Sequence, residues 1–98
     1  MRLSPEYVSA IKAAAAEAFG PTAVVRLFGS RVDDTRRGGE IDLHFEVDEV
    51  ENEELRRDHF EARLFEMIEP QRVDVVISTR GVPPHAFERI AYRDGIVL

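Results

Sequence analysis

The clearest pattern in the chain is the alternation of polar and apolar residues from Glu40 to Val47. Successive side chains of a β-strand point to opposite faces of the sheet, so the two kinds of residue separate by face. The polar set is Glu40, Asp42, His44 and Glu46, and the apolar set is Ile41, Leu43, Phe45 and Val47. The pattern therefore predicts a strand with one face in the core and one face that carries acidic groups.

Shorter apolar runs predict two further strands, and segments with helical periodicity predict three helices. The strands are expected at 23–28 and 72–77, and the helices at 5–19, at 49–69 and after Pro83-Pro84; residues 30–37 are compatible with a short helix. Ser4 suits the N-cap of the first helix, and Gly20-Pro21 suits its end. This order predicts an α/β (α+β) fold, with a small mixed β-sheet and helices packed on one face, which leaves the other face for the carboxylates.

Length and composition narrow the class of protein. The 98 residues predict a single domain, 1–98, and the net charge of −6 argues against a general nucleic-acid surface. The chain has no cysteine, so disulfides and cysteine-ligated zinc are excluded. No apolar run approaches the length of a signal peptide core or a membrane span. We therefore expect a cytoplasmic protein without a membrane or direct nucleic-acid partner.

Three carboxylates are candidates for a metal site. Glu40 and Asp42 are two residues apart and share a strand face, while Asp74 interrupts the apolar run 73–77, where an uncompensated charge is costly to bury. If the two strands are neighbours, the three carboxylates converge with no lysine beside them. Such a group is typical of a site for a hard divalent cation such as Mg²⁺. The alternative is an ordinary solvated surface.

A glycine-serine pair precedes this group. Gly29-Ser30 follows the first predicted strand, and nine residues separate Ser30 from Glu40. Glycine permits a tight turn and the close approach of a phosphate, whereas the lysine of a Walker P-loop is absent. Arg31 is a candidate phosphate contact, although exposed loop arginines are usually solvated. A phosphate-binding turn beside a metal cluster is typical of phosphoryl or nucleotidyl transfer.

These motifs resemble a known family. Leu27-Phe28-Gly29-Ser30-Arg31 followed by Gly39-Glu40-Ile41-Asp42-Leu43 is similar to the signature of the polymerase-β-type nucleotidyltransferases, and specifically of the minimal nucleotidyltransferases (MNT). The resemblance spans essentially the whole chain and implies the polymerase-β-like nucleotidyltransferase fold. It implies that Gly29 and Ser30 hold the phosphates of ATP. It also implies that Glu40 and Asp42 bind two Mg²⁺ ions, and that Asp74 completes the site and helps to activate the acceptor hydroxyl.

The resemblance also implies a biological role. Minimal nucleotidyltransferases commonly act as antitoxins beside a HEPN-domain RNase toxin, to whose tyrosine hydroxyl they transfer AMP from ATP. One residue departs from the family pattern, because Glu40 stands where the family usually has Asp. This longer side chain leaves open a preference for Mn²⁺, and an antitoxin that neutralises the toxin by binding alone. Nucleotidylation of a small molecule, such as an aminoglycoside, is the remaining alternative.

The remaining candidates favour a structural interpretation. We expect His44 to face solvent on the acidic strand, with contact to a substrate as the less favoured alternative. His59 and His85 are expected at the surface of helices, and Arg36 and Arg37 in solvent. His59 and His85 have no serine or cysteine nucleophile pattern nearby.

Overall fold

Four strands and three helices make up the part of the chain that the structure, a computed structural model, describes, namely residues 3–29 and 40–98. The elements are α1 (Pro5–Phe19), β1 (Val24–Phe28), β2 (Ile41–Val47), α2 (Glu53–Met67), β3 (Val73–Thr79), α3 (Ala86–Asp94) and β4 (Ile96–Val97). The predicted α+β class with a small mixed sheet is confirmed.

The sheet places the two acid-bearing strands side by side in the order β3-β2-β1-β4. β2 runs parallel to β3 and antiparallel to β1, and β4 pairs antiparallel with the other edge of β1. The strand-helix-strand connection through α2 is what makes β2 and β3 parallel. The sequence analysis did not predict β4, which is only two residues long and whose pattern is too short to show a period.

The core face of the sheet is made by the apolar set of β2, all four of whose side chains are fully buried. Phe45 lies at its centre, with its ring edge-to-face against Phe19 of α1 at 5.3 Å and against Phe60 of α2 at 4.8 Å between centroids. Such aromatic contacts add to the stabilisation from apolar burial. The alternation in β2 therefore predicted the core side correctly.

The opposite face, which we call the polar face, carries Asp42, His44 and Glu46 of β2 together with their neighbours on β1 and β3. The helices were expected on one face only; this holds for α1 and α2, but α3 lies across part of the polar face. Its Phe87 packs edge-to-face on Phe28, and its Tyr92 on His44. The short loop after β3 returns the chain over the sheet, and a local sequence pattern does not show that direction.

The helix ends show where sequence signals were sufficient. α1 begins as predicted, because the Ser4 hydroxyl accepts a hydrogen bond from the Tyr7 amide at 3.2 Å. α2 begins later than expected, after Asn52, which caps the helix from a left-handed conformation with φ +50°. Within residues 3–29 and 40–98, none of the helices combines the length and the apolar character needed to cross a membrane.

Candidate metal centre

The pairing of β2 with β3 brings the three predicted carboxylates together. Asp42 and Asp74 are register partners on adjacent parallel strands, and Glu40 lies two residues before Asp42 on the same side. One carboxylate oxygen from each residue lies within 4.8 Å of the other two. We call Glu40, Asp42 and Asp74 the carboxylate cluster.

The cluster concentrates negative charge at the edge of the polar face. Partial burial, and then the nearby charge of Asp74, raise the pKa of Asp42. A hydrogen bond with Asp74, followed by burial, raises the pKa of Glu40, and the charge of Arg72 opposes this rise. Both shifts mean that the ionised forms are disfavoured in this arrangement, so a bound cation would relieve the repulsion.

Arg72 is a member of this site that the sequence analysis missed. Its Nε lies 2.6 Å from an Oε of Glu40 and 3.8 Å from an Oδ of Asp74, while 77% of its side chain is exposed. Its carbonyl oxygen accepts a hydrogen bond from the Ile41 amide at 3.1 Å, which fixes the start of the β2–β3 pairing. The signal was present in the sequence, because residues 72 and 74 must share a strand face.

Gly29 closes the other side of the cluster. It follows Phe28, the register partner of Asp42, and has φ +76°, a conformation that favours glycine. A Cβ at this position would lie 2.3 Å from an Oδ of Asp42, so no larger residue fits without moving that carboxylate. Gly29 therefore lets the backbone approach the cluster closely, and its contact with phosphate stays a prediction.

Several predicted residues lie outside the described part of the chain. These are Ser30, Arg31, Arg36 and Arg37, together with the short helix expected within 30–37. Their assignment to phosphate binding or to solvent stays a prediction.

The donor set of the cluster fits a hard divalent cation. All three side chains offer carboxylate oxygens, which Mg²⁺ and Mn²⁺ prefer over softer ligands. The strands hold Asp42 and Asp74 in register, and both lie at the surface rather than in the core. The residues therefore fit Mg²⁺ or Mn²⁺; the expected number of two ions stays a prediction.

The prediction that His44 faces solvent is wrong. Its side chain is fully buried under α3, and its Nε2 lies 2.8 Å from Oγ of Ser78. Ser78 in turn donates to a carboxylate oxygen of Glu88 at 3.0 Å. Burial, and then the charge of Arg26, lower the pKa of His44, so its neutral form is favoured. Because Ser78 donates its one proton to Glu88, the tautomer that fits the contact carries the proton on Nε2, and the buried Nδ1 has no hydrogen-bond partner within the described residues.

We call these three residues the His44–Ser78–Glu88 network. It fastens α3 to the sheet, because Glu88 belongs to α3 while His44 and Ser78 belong to β2 and β3. The serine hydroxyl donates to the carboxylate rather than to the histidine, so the network is not arranged as a catalytic triad. His59 and His85 are exposed, as predicted.

No protein-family model, no curated protein and no solved structure matches this chain.

Proposed function

We propose that the protein is a Mg²⁺-dependent nucleotidyltransferase of the minimal type and the antitoxin of a HEPN/MNT pair. It transfers AMP from ATP to a tyrosine hydroxyl of the HEPN RNase toxin in the cytoplasm. The observation that carries the proposal is the convergence of Glu40, Asp42 and Asp74 within 4.8 Å, with the backbone of Gly29 against Asp42.

The chemistry follows from these positions. When bound, Mg²⁺ would supply stabilisation of the negative charge on the attacking and leaving oxygens. Asp42 and Asp74 would hold the cation from adjacent strands, and the backbone of Gly29, packed against the Asp42 carboxylate, would lie beside the phosphates. The tyrosine oxygen attacks the α-phosphorus of ATP, the bond from that phosphorus to the β-phosphate bridging oxygen breaks, and pyrophosphate leaves. Asp74 accepts the hydroxyl proton.

The acceptor is proposed to be a protein on the basis of a cleft at the edge of the sheet and of the net charge of the chain. A cleft between α2 and β3 is lined by Arg57, Phe60, Glu61 and Asp74 among others. Because β3 is an edge strand, a side chain from a partner can approach Asp74 from outside the sheet. The net charge of −6 also favours a basic partner such as an RNA-cleaving protein.

The test uses the protein encoded by the adjacent reading frame, expected to be short and helical. The two proteins are incubated with ATP labelled at the α-phosphate, first with Mg²⁺ and then with Mn²⁺. Label should appear on the neighbour, and a tyrosine-to-phenylalanine variant of that protein should lose it. Asp74→Asn should abolish labelling, whereas Asp58→Asn, which changes an exposed carboxylate on α2, should not. An unlabelled neighbour with both metals would contradict the proposal.

A second candidate is an antitoxin that neutralises its toxin by binding alone. The ion pair between Arg72 and Glu40 favours it, because part of the cluster's charge is already compensated without a metal. Asp42→Ala separates the two candidates in a growth-rescue assay with the toxin. Loss of rescue supports transfer of AMP, and full rescue by this variant supports masking.

A further inference from the structure

We propose that Arg72 is a built-in cation that competes with the divalent metal for Glu40 and, once displaced, binds the phosphates of the nucleotide. Metal binding without nucleotide is then weak, and metal and nucleotide bind cooperatively. This inference rests on metal binding by the carboxylate cluster, which is part of the proposed function.

The first argument is the position of the guanidinium. Arg72 and Glu40 directly precede Val73 and Ile41, the first pair of the β2–β3 register, in which Asp74 lies opposite Asp42. The four side chains therefore form two adjacent rows on one face, with one positive group among three carboxylates. The Nε of Arg72 contacts Glu40 at 2.6 Å, the same carboxylate that a metal would need to recruit.

The second argument is that Arg72 is free to leave. Its side chain is 77% exposed, and its ion-pair partners within the described residues are Glu40 and Asp74 alone. Exposed ion pairs are weak because water screens both charges and two long side chains must be held in place. A divalent cation with direct carboxylate coordination can therefore take over Glu40.

The third argument is the destination of the displaced side chain. A planar guanidinium is suited to phosphate oxygens, with which it can form two parallel hydrogen bonds. Arg72 and Gly29 border the same cluster, Arg72 at Glu40 and Gly29 at Asp42. A polyphosphate bound beside the metal would thus lie close to the displaced side chain of Arg72. Metal and nucleotide would each raise the affinity of the other by the same factor, as linkage requires.

The test is calorimetric titration of Mn²⁺ alone into the full chain and its variants. Arg72→Gln should bind Mn²⁺ about tenfold more tightly than the wild type, because the competitor is gone, whereas Arg72→Lys keeps the charge and should stay near the wild type. Arg93→Gln is the matched control, because Arg93 is 73% exposed and paired with Asp94 away from the cluster. Circular dichroism spectra verify that each variant is folded.

A second titration measures cooperativity with inorganic tripolyphosphate as the probe. Tripolyphosphate should raise the Mn²⁺ affinity of the wild type, and this increase should be about tenfold smaller in Arg72→Gln. If the wild type binds Mn²⁺ but Arg72→Gln binds no more tightly, the inference on Arg72 fails and the metal site stands. If neither protein binds Mn²⁺, with or without tripolyphosphate, both the inference and the proposed metal site fail.

Discussion

The two ends of the polar face carry similar kinds of residue and use them in different ways. At one end, Asp42 meets Asp74 across the strand pair, and the carboxylates repel one another at the surface. Two residues further along β2, His44 is fully buried, and its Nε2 forms a hydrogen bond with the hydroxyl of Ser78. The buried end holds α3 through Nε2 of His44, although the buried Nδ1 of the same ring has no hydrogen-bond partner within the described residues. Under the proposed function, the carboxylate end would gain from an external cation. The difference shows which polar residues serve the fold and which are available for chemistry.

The largest expected effect is on catalysis at the carboxylate end. Asp42→Asn should reduce transfer of AMP more than about 100-fold, since loss of an outer partner of a metal ligand alone typically costs 10- to 100-fold. Asp58→Asn should keep wild-type activity, because Asp58 is exposed on α2. The measurement is the initial rate of labelling of the partner. Equal rates in wild type and Asp42→Asn would remove the carboxylate end from the mechanism.

The next effect concerns the close approach of Gly29. Gly29→Ala should reduce the transfer rate about 100-fold, because its Cβ must push Asp42 aside and a shift of about 1 Å can cost that much. Gly81→Ala is the matched control, since Gly81 also has a positive φ, +86°, but has open space around its missing Cβ. Both variants should lose about 1 kcal/mol or more of stability from backbone strain. Comparable rates for the two variants would show that strain, and not the position of Asp42, is responsible.

A smaller effect is expected at the buried end. Ser78→Ala should reduce the free energy of unfolding by about 1–3 kcal/mol, because it leaves the buried Nε2–H of His44 without its acceptor. Ser9→Ala, at an exposed position of α1, should change stability little. Urea denaturation measures both. A Ser78→Ala protein as stable as the wild type would mean that the network does not hold α3.

The smallest effect is a pH-dependent gain in stability at the carboxylate end. The pKa of Asp42 is raised above its ordinary value of 3.8, so the folded state binds more protons than the unfolded state, and stability falls as the pH rises through this range. Asp42→Asn should therefore be more stable than the wild type at pH 7 in the presence of a chelator. The gain should be about 1 kcal/mol or less, because solvent screens this partly exposed group.

Thermal unfolding at several pH values measures this gain. It should disappear as the pH falls below about 4, where Asp42 is protonated in both states of the wild type. A gain of constant size at every pH would show that the repulsion between carboxylates is not its source.

The fold was predictable where a local pattern determined it. The alternation of β2 identified its buried face, and Ser4 identified the start of α1. α3 was expected as a helix, but its place over the polar face depends on tertiary packing, so the burial of His44 could not be predicted from the strand pattern. β4 is defined by its pairing with β1, and its two residues are too few to carry a pattern that predicts this pairing.

The carboxylate cluster was predictable because side chains two residues apart on a strand share a face, and this holds for both of the neighbouring strands β2 and β3. Spacing alone placed Glu40 and Asp42 on one face, and the parallel register then brought Asp74 beside them. The same rule would have found Arg72, two residues before Asp74, had positive charge been sought together with negative charge. The sequence could not show that position 29 has no space for a side chain. That finding depends on the distance between the backbone of Gly29 and the carboxylate of Asp42, which only the structure gives.

The most direct test of the central claim, that the carboxylate cluster holds the catalytic metal, is a crystal structure with Mn²⁺ and a non-hydrolysable ATP analogue. Anomalous scattering would locate the metal. The account predicts a peak in direct contact with Asp42 and Asp74, and Arg72 turned away from Glu40. A peak bound elsewhere, or no peak at the cluster while the nucleotide analogue is bound, would contradict it.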